Sequence, residues 1–304
     1  MTTIEVRELT KRYGPDVVVD GLSFTVEPGH VTGFLGPNGA GKSTTMRMIL
    51  GLAPPTAGSV RIGGREYAHL PVPLTEVGAL LDAGALHPAR RADDHLLAIA
   101  QSNGIGRQRV AEVLSMVGLE KVARRKAGGF SLGMRQRLGI AAALLGDPQI
   151  LIFDEPVNGL DPEGIRWIRD FMRTLAGEGR SVLCSSHLMS EMAVTADHLV
   201  VIGRGRLIAD TSMSEFTRSH GEGTVLVRAE SADELARHLT AAGGVVRRGL
   251  ERSLIVSGLD SAEIGRLAAF HGVTLSELTP QAPSLEDVFM ELTQDSVEYA
   301  GATA

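Results

Sequence analysis

The sequence predicts an α/β domain built around a phosphate-binding loop, followed by a smaller α+β domain, and three observations carry this. A glycine-rich loop with one lysine, Gly36-Pro-Asn-Gly-Ala-Gly-Lys-Ser-Thr44, lies between an apolar run and a helical pattern. A second apolar run, Gln149-Ile-Leu-Ile-Phe-Asp-Glu155, ends in two adjacent carboxylates, and the ends of buried parallel strands are where such sheets place chemistry. Beyond residue 219 the elements follow the order β-α-β-β-α-β, that of a ferredoxin-like sheet. A chain of 304 residues is long for one core, so we expect a nucleotide-binding domain over 1–218 and an accessory domain with a tail over 219–304.

The loop follows Val31-Thr-Gly-Phe-Leu35, a short buried strand by pattern, and precedes Thr45-Met-Arg-Met-Ile-Leu50, a helical stretch closed by Gly51 and Pro54. Its glycines let successive backbone N–H groups point into one concavity, and the helix N-terminus adds the positive end of a dipole. Lys42 can reach the β- and γ-phosphates, and Ser43 is placed to ligate Mg²⁺. A loop of this spacing arises by chance on the order of 0.01 times in such a length. Gly36, Pro37, Asn38, Gly39, Ala40, Gly41, Lys42, Ser43 and Thr44 are therefore candidate contacts to a nucleoside triphosphate.

The downstream strand fits the same chemistry. Asp154 at its end can hold Mg²⁺ through its shell, and Glu155 can orient or deprotonate an attacking water, two tasks that phosphoryl transfer requires. Between the two lies Gly128-Gly-Phe-Ser-Leu-Gly-Met-Arg-Gln-Arg-Leu-Gly-Ile-Ala-Ala-Ala-Leu-Leu145, where Ser131 reads as the N-cap of a long helix. On this stretch alone a plain capped helix accounts for the pattern; a second anion site, serving a neighbouring copy, is the other reading.

Hydrophobic content of 43%, charged content of 22% and a net charge of −6 are ordinary for a globular protein. They lack the basic balance that phosphate-backbone binding favours, so no nucleic-acid partner is expected. The single cysteine, Cys184, allows no intrachain disulfide and, inside Ser181-Val-Leu-Cys-Ser185, reads as a small buried hydrophobe in a reducing compartment. The first residues lack a basic-then-apolar signal pattern, and no segment approaches the roughly 18 apolar residues of a spanning helix. Membrane work is expected to be done beside a partner.

In their order these motifs resemble the ATP-binding cassette (ABC) transporter ATPase family over about residues 3–215. Gly36 to Thr44 resembles its Walker A loop, Ser131 to Gln136 its signature motif, Ile150 to Glu155 its Walker B strand, Asn158-Gly-Leu-Asp161 its D-loop, and His187 after Cys184-Ser-Ser its switch histidine. The resemblance implies a RecA-like core with a helical subdomain, binding ATP with Mg²⁺ and hydrolysing ATP through Glu155, His187 and Lys42. It also implies that Tyr13 stacks on adenine. Two protomers would sandwich two ATP molecules, with Ser131 and Gly133 of one reaching the γ-phosphate held by the other and Asp161 beside them.

This chain departs from the commoner pattern at three places. The signature reads Ser-Leu-Gly-Met, the D-loop carries Asn158-Gly159, and the position usually held by the Q-loop glutamine is Asp82, in Val77-Gly-Ala-Leu-Leu-Asp82. A shorter carboxylate at Asp82 can still reach Mg²⁺ or water. Trp167, in the helical stretch Gly164 to Leu175, reads as a packing residue, and Lys121, Arg124, Arg125 and Lys126 as a solvated helix face.

The polar stretch Ser219-His-Gly-Glu-Gly-Thr224 reads as a linker. After it come strands over 224–228, 245–248, 254–257 and 273–278 and helices over 232–242 and 262–271, with no metal, nucleophile or phosphate constellation among them; a regulatory or dimer-stabilising role is expected. The ending Pro283-Ser-Leu-Glu-Asp-Val-Phe-Met-Glu-Leu-Thr293 resembles the tail of antibiotic-export ATPases of the bacitracin- and daunorubicin-resistance type, which pair with a separate multi-span permease.

The reading is thus an ATPase subunit of an ABC exporter of a drug, antibiotic or peptide. It would work as a homodimer on the cytoplasmic, inner face of the cell membrane and dock its permease through 82–125. Two rivals stand beside it: a soluble ABC ATPase acting on ribosomes or nucleic acid, and a non-catalytic nucleotide sensor.

Overall fold

The computed structural model describes residues 2–219, 224–249 and 253–281 together with Glu286, Val288 and Phe289. It divides into two compact units, one running to Met213 and the other starting at Ser214.

The first unit opens on an antiparallel pair, β1 (Ile4–Tyr13) and β2 (Asp16–Val26), turning at Gly14 with φ 61°. The chain then enters β3 (Val31–Leu35) and α1 (Lys42–Ile49), and β4 (Ala57–Ile62) returns to pair with β1. Next come α2 (Pro73–Glu76) and β5 (Val77–Leu80), then three helices that pack on one another, α3 (Ala92–Ser102), α4 (Arg107–Met116) and α5 (Leu132–Ala143). After these follow β6 (Ile150–Phe153), α6 (Pro162–Gly177), β7 (Ser181–Ser186), α7 (Met189–Ala193), β8 (His198–Gly203) and β9 (Arg206–Ser212).

The main sheet has the order β5-β6-β7-β3-β8-β9, parallel except for β9. Every residue of β3, β6 and β7 is buried, which is why none of the three carries a charged residue or alternates apolar with exposed polar positions. Each large aliphatic or aromatic side chain fully buried there contributes about 1.5–3 kcal/mol. The order places β6, β7 and β3 side by side, so the carboxyl ends that lead into Asp154, His187 and the glycine loop open on one edge. The helical layer is pinned to this sheet. Arg109 on α4 donates to the Leu144 and Leu145 carbonyls and to Asp147, and at Gly78 in β5 an added Cβ would strike the Ala143 carbonyl at the end of α5.

α8 (Met213–Ser219) leads to the second unit, made of β10 (Thr224–Ala229), α9 (Ala232–Ala241), β11 (Val245–Arg248), β12 (Leu254–Ser257), α10 (Ser261–Phe270) and β13 (Leu275–Gln281). Its sheet order is β11-β12-β10-β13 with antiparallel neighbours throughout, the arrangement of a ferredoxin-like sheet. Val225, Val227, Leu254 and Val256 pack against Leu235, Leu239 and Ile264 of the two helices.

Several boundaries differ from the sequence reading for local reasons. α1 begins at Lys42 rather than Thr45, because Gly41 at φ 101° turns the chain directly into the helix. α6 begins at Pro162, where Asp161 caps it and proline occupies the first turn. β13 begins at Leu275 because the Val273 N–H is taken by Ala268 at the close of α10. The basic stretch from Lys121 to Lys126 is exposed but forms a short 3₁₀ turn at Glu120–Val122 and a loop rather than a helix face. The expected linker begins inside α8, and 220–223 lie outside the described residues, as does the tail 283–293 apart from Glu286, Val288 and Phe289.

Candidate nucleotide-binding and catalytic site

Two of the loop glycines have no substitute. An added Cβ at Gly36 would lie 2.5 Å from the Ile202 carbonyl of β8, and at Gly41, already at φ 101°, 2.7 Å from the Val18 carbonyl of β2. The loop is thus wedged between two strands, which holds its N–H groups in the concave arrangement that binds phosphate oxygens. The loop bounds an open pocket of ≈ 400 Å³ lined by Asn38 to Thr44 with Val18, Glu155, Asn158 and His187. A further space of ≈ 360 Å³ adjoins it through Val18, Asn38 and Gly39 and adds Asp16 and Arg204.

Lys42 is buried and donates to the Gly36 and Pro37 carbonyls at 2.7 and 3.3 Å. Its amine also lies 3.6 Å from Glu155 Oε1. Burial pulls the amine below the usual lysine range, and the nearby Glu155 and Asp154 carboxylates offset part of that shift.

Glu155 stands in the left-handed region at φ 48°, a conformation that costs a non-glycine residue roughly 1–2 kcal/mol. The turn directs its carboxylate back over the loop, where Oε2 hydrogen-bonds His187 Nδ1 at 2.7 Å. Lys42 at the start of α1, Glu155 just past β6 and His187 just past β7 therefore form one contiguous array. Asp154 follows a different course: its Oδ1 accepts from Ser185 Oγ at 2.6 Å. The set of hydroxyl and carboxylate oxygens offered by Ser43 and Asp154 fits Mg²⁺, which takes hard oxygen donors, needs one or two from protein and completes its shell with phosphates and water. No group of three acidic, histidine or cysteine side chains able to hold a metal alone exists among the described residues.

The remaining candidates lie outside this pocket. Tyr13 is half-exposed at the end of β1, with the Lys11 amine 5.0 Å from its ring centre. Asp82 is exposed, and its Oδ1 accepts from the Gly84 N–H at 2.6 Å, closing its own turn. Ser131 caps α5 through the Met134 N–H at 3.3 Å and Asp161 caps α6 through the Gly164 N–H at 2.9 Å; Ser131 and Asp161 thus lie at helix starts rather than against the loop. Cys184 is buried, and burial pushes its thiol well above the usual range. Trp167 stacks on Phe171 at 5.1 Å and receives the Arg137 guanidinium on its face at 3.8 Å, tying α6 to α5.

The sequence reading missed Ser185, Asp16 and Arg204. For Ser185 the signal was its place at the end of β7, two residues before His187; no local pattern marks Arg204 in its turn.

Two of the departures fit each other. An added Cβ at Gly159, which has φ 70°, would sit 2.7 Å from Leu132 Cδ2. Gly159→Ala is expected to cost about 1–3 kcal/mol from overpacking and left-handed strain. Adding Leu132→Ala should recover the overpacking part. Thermal melts of the two single variants and the double variant check this, and strictly additive losses would show that the contact carries nothing.

Residues 19–158 match the ABC transporter family and residues 223–286 a domain of unknown function, DUF8746. The chain is 36% identical to the uncharacterized ABC transporter ATP-binding protein YhcH of Bacillus subtilis (strain 168), over 98% of each. It is 34% identical to the bacitracin transport ATP-binding protein BcrA of Bacillus licheniformis, over 96% of this chain and 97% of that one. A solved ATP-binding subunit of an ABC transporter superposes with a TM-score of 0.64 at 29% identity, covering 71% of this chain and 92% of the other. With the loop, the carboxylate pair and the histidine meeting at one edge of the sheet, the chain belongs to the ABC transporter family, as an ATP-binding, ATP-hydrolysing subunit.

Proposed function

We propose that this ATPase powers a separately encoded multi-span permease that exports an antibiotic, drug or peptide, working as a homodimer on the cytoplasmic face of the cell membrane. The observation that carries the chemistry is the array of Lys42, Glu155 and His187, with Glu155 reached by the lysine at 3.6 Å and by the histidine at 2.7 Å. The loop N–H groups and Lys42 hold the triphosphate, Glu155 takes a proton from the attacking water, and His187 keeps the Glu155 carboxylate aimed and meets the γ-phosphate. Ser43 and Asp154 would hold Mg²⁺, which would supply charge neutralisation to the phosphates when bound. Tyr13 receives the base, and Asp82 would reach water or the metal shell.

Ser131 and Gly133 of one protomer, with Asp161 beside them, complete the site of the other, in keeping with their place at helix starts outside the pocket. The region 82–125 docks the permease, and the accessory domain over 219–304 stabilises or regulates the dimer. Support for export is the match along nearly the full length to a bacitracin transport subunit. No helix among the described residues is long and apolar enough to cross a membrane, so the transport path belongs to the partner.

The test is a pull-down from gently solubilised native membranes with tagged Glu155→Gln protein and ATP, read by mass spectrometry. Enrichment of one multi-span protein is the expected result. Recovery of ribosomal or DNA-bound proteins, with no membrane partner, would overturn the transport reading in favour of a soluble ABC ATPase.

A further inference from the structure

We propose that Ser185 is a positioning residue that sets both carboxylates of the site with one hydroxyl. Its Oγ donates to Asp154 Oδ1 at 2.6 Å and accepts the Glu155 backbone N–H at 2.8 Å, and the side chain is fully buried. The two bonds do different work. The first fixes the rotation of the Asp154 carboxylate by engaging one oxygen, so that the other is the one presented to a ligand. The second anchors the backbone where Glu155 holds φ 48°, and that left-handed turn is what sends the two adjacent side chains to different places: Asp154 to Ser185, Glu155 to His187 and Lys42.

Strand geometry explains why this position can do it. Phe153 pairs with Cys184 in the β6–β7 register, so Ser185 stands beside the first residue past β6. His187 follows just past the end of β7, and the two residues reach the carboxylate pair from one strand end: Ser185 through Asp154 Oδ1 and the Glu155 N–H, His187 through Glu155 Oε2. The task needs a group that donates and accepts at once. Among side chains of this size only serine and threonine do so strongly; a cysteine thiol is weak at both, and alanine offers neither.

The inference rests on the roles proposed for Asp154 and Glu155, and its test separates the two. Full-length wild type and the variants Ser185→Ala, Ser185→Cys, Ser185→Thr and Asp154→Asn are compared with ATP present. The readings are Mn²⁺ affinity by electron paramagnetic resonance, with Mn²⁺ as the probe for Mg²⁺, ATP affinity, and ATP turnover.

Ser185→Ala and Ser185→Cys are expected to lose about 10- to 100-fold in Mn²⁺ affinity or turnover, the usual cost of removing a partner of a metal-ligating carboxylate, while ATP affinity changes little. Ser185→Thr should recover most of the loss. Retained ATP binding shows that each variant is folded, and if the alanine variant does not fold, cysteine against threonine decides. An effect that follows side-chain volume, with cysteine and threonine alike, overturns the proposal, as does unchanged Mn²⁺ affinity and turnover in Ser185→Ala. If Asp154→Asn weakens Mn²⁺ binding and Ser185→Ala changes neither Mn²⁺ binding nor turnover, only the role of Ser185 falls. If neither variant changes it, the metal role of Asp154 falls and this inference with it.

Discussion

Glu155→Gln is expected to lower ATP turnover by about 10²- to 10⁴-fold, the range that a positioned general base contributes, while ATP still binds. The substitution keeps the shape of the side chain and an oxygen that can accept from His187, and it leaves untouched the backbone N–H bonded to Ser185 at 2.8 Å. The left-handed turn at φ 48° therefore survives, and what is removed is the negative charge and the capacity to take a proton. Lys42, which loses an ionic partner at 3.6 Å, is left more available to phosphate, so affinity should hold or rise. Single-turnover hydrolysis and equilibrium ATP binding on the same preparation check both halves. Turnover within ten-fold of wild type would remove Glu155 from the chemistry, and an affinity that fell as steeply as turnover would make it a binding residue instead.

The phosphate loop and the carboxylate pair were legible because their information is local: glycines that must take special conformations, a lysine at fixed spacing, and apolar runs that stop at charged residues. The second domain was legible for a similar reason, since four short strands and two helices in the order β-α-β-β-α-β admit few sheets, and the order β11-β12-β10-β13 is one of them. What no local pattern encodes is which parallel strands become neighbours. That β6, β7 and β3 lie together depends on pairings such as Phe153 with Cys184 and Leu35 with Ser186, made across more than a hundred residues in each case where β3 is involved. Ser185 was hidden by this: its hydroxyl matters only because β6 is beside it. Arg204 was hidden likewise, in a turn whose Gly205 N–H is bonded to the Ala40 carbonyl of the loop at 3.1 Å. Asp82 is a different case: its carboxylate accepts from the Gly84 N–H within its own turn, a contact that its position after β5 does not announce.

Lys42→Met should abolish ATP-induced stabilisation while leaving the ligand-free fold nearly as stable as the wild type. Methionine fills a similar volume, so the loss is of charge and donors rather than of packing. Charge-assisted hydrogen bonds contribute about 1.5–3 kcal/mol each, so losing two to the phosphates weakens ATP by roughly 10²- to 10⁴-fold. In the ligand-free protein the balance is different. Burial lowers the amine below its usual value even with Glu155 and Asp154 nearby, so the fold favours the neutral form and works against the charged one. The sign follows: that cost is fully present at pH values below the folded-state value, and it disappears as pH rises from there toward the unfolded-state value of 10.5. Methionine removes the cost along with the bonds to the Gly36 and Pro37 carbonyls, and the two changes oppose each other. The same lowered value governs the wild-type enzyme on the alkaline side, because a neutral amine cannot neutralise phosphate. The kcat/KM of the free enzyme for ATP should therefore fall off at a pH below 10.5, earlier than a solvent-exposed lysine would impose. Thermal melts with and without ATP and an alkaline pH–rate profile measure these effects. A variant that kept its ATP-induced shift would show that the backbone amides alone hold the triphosphate.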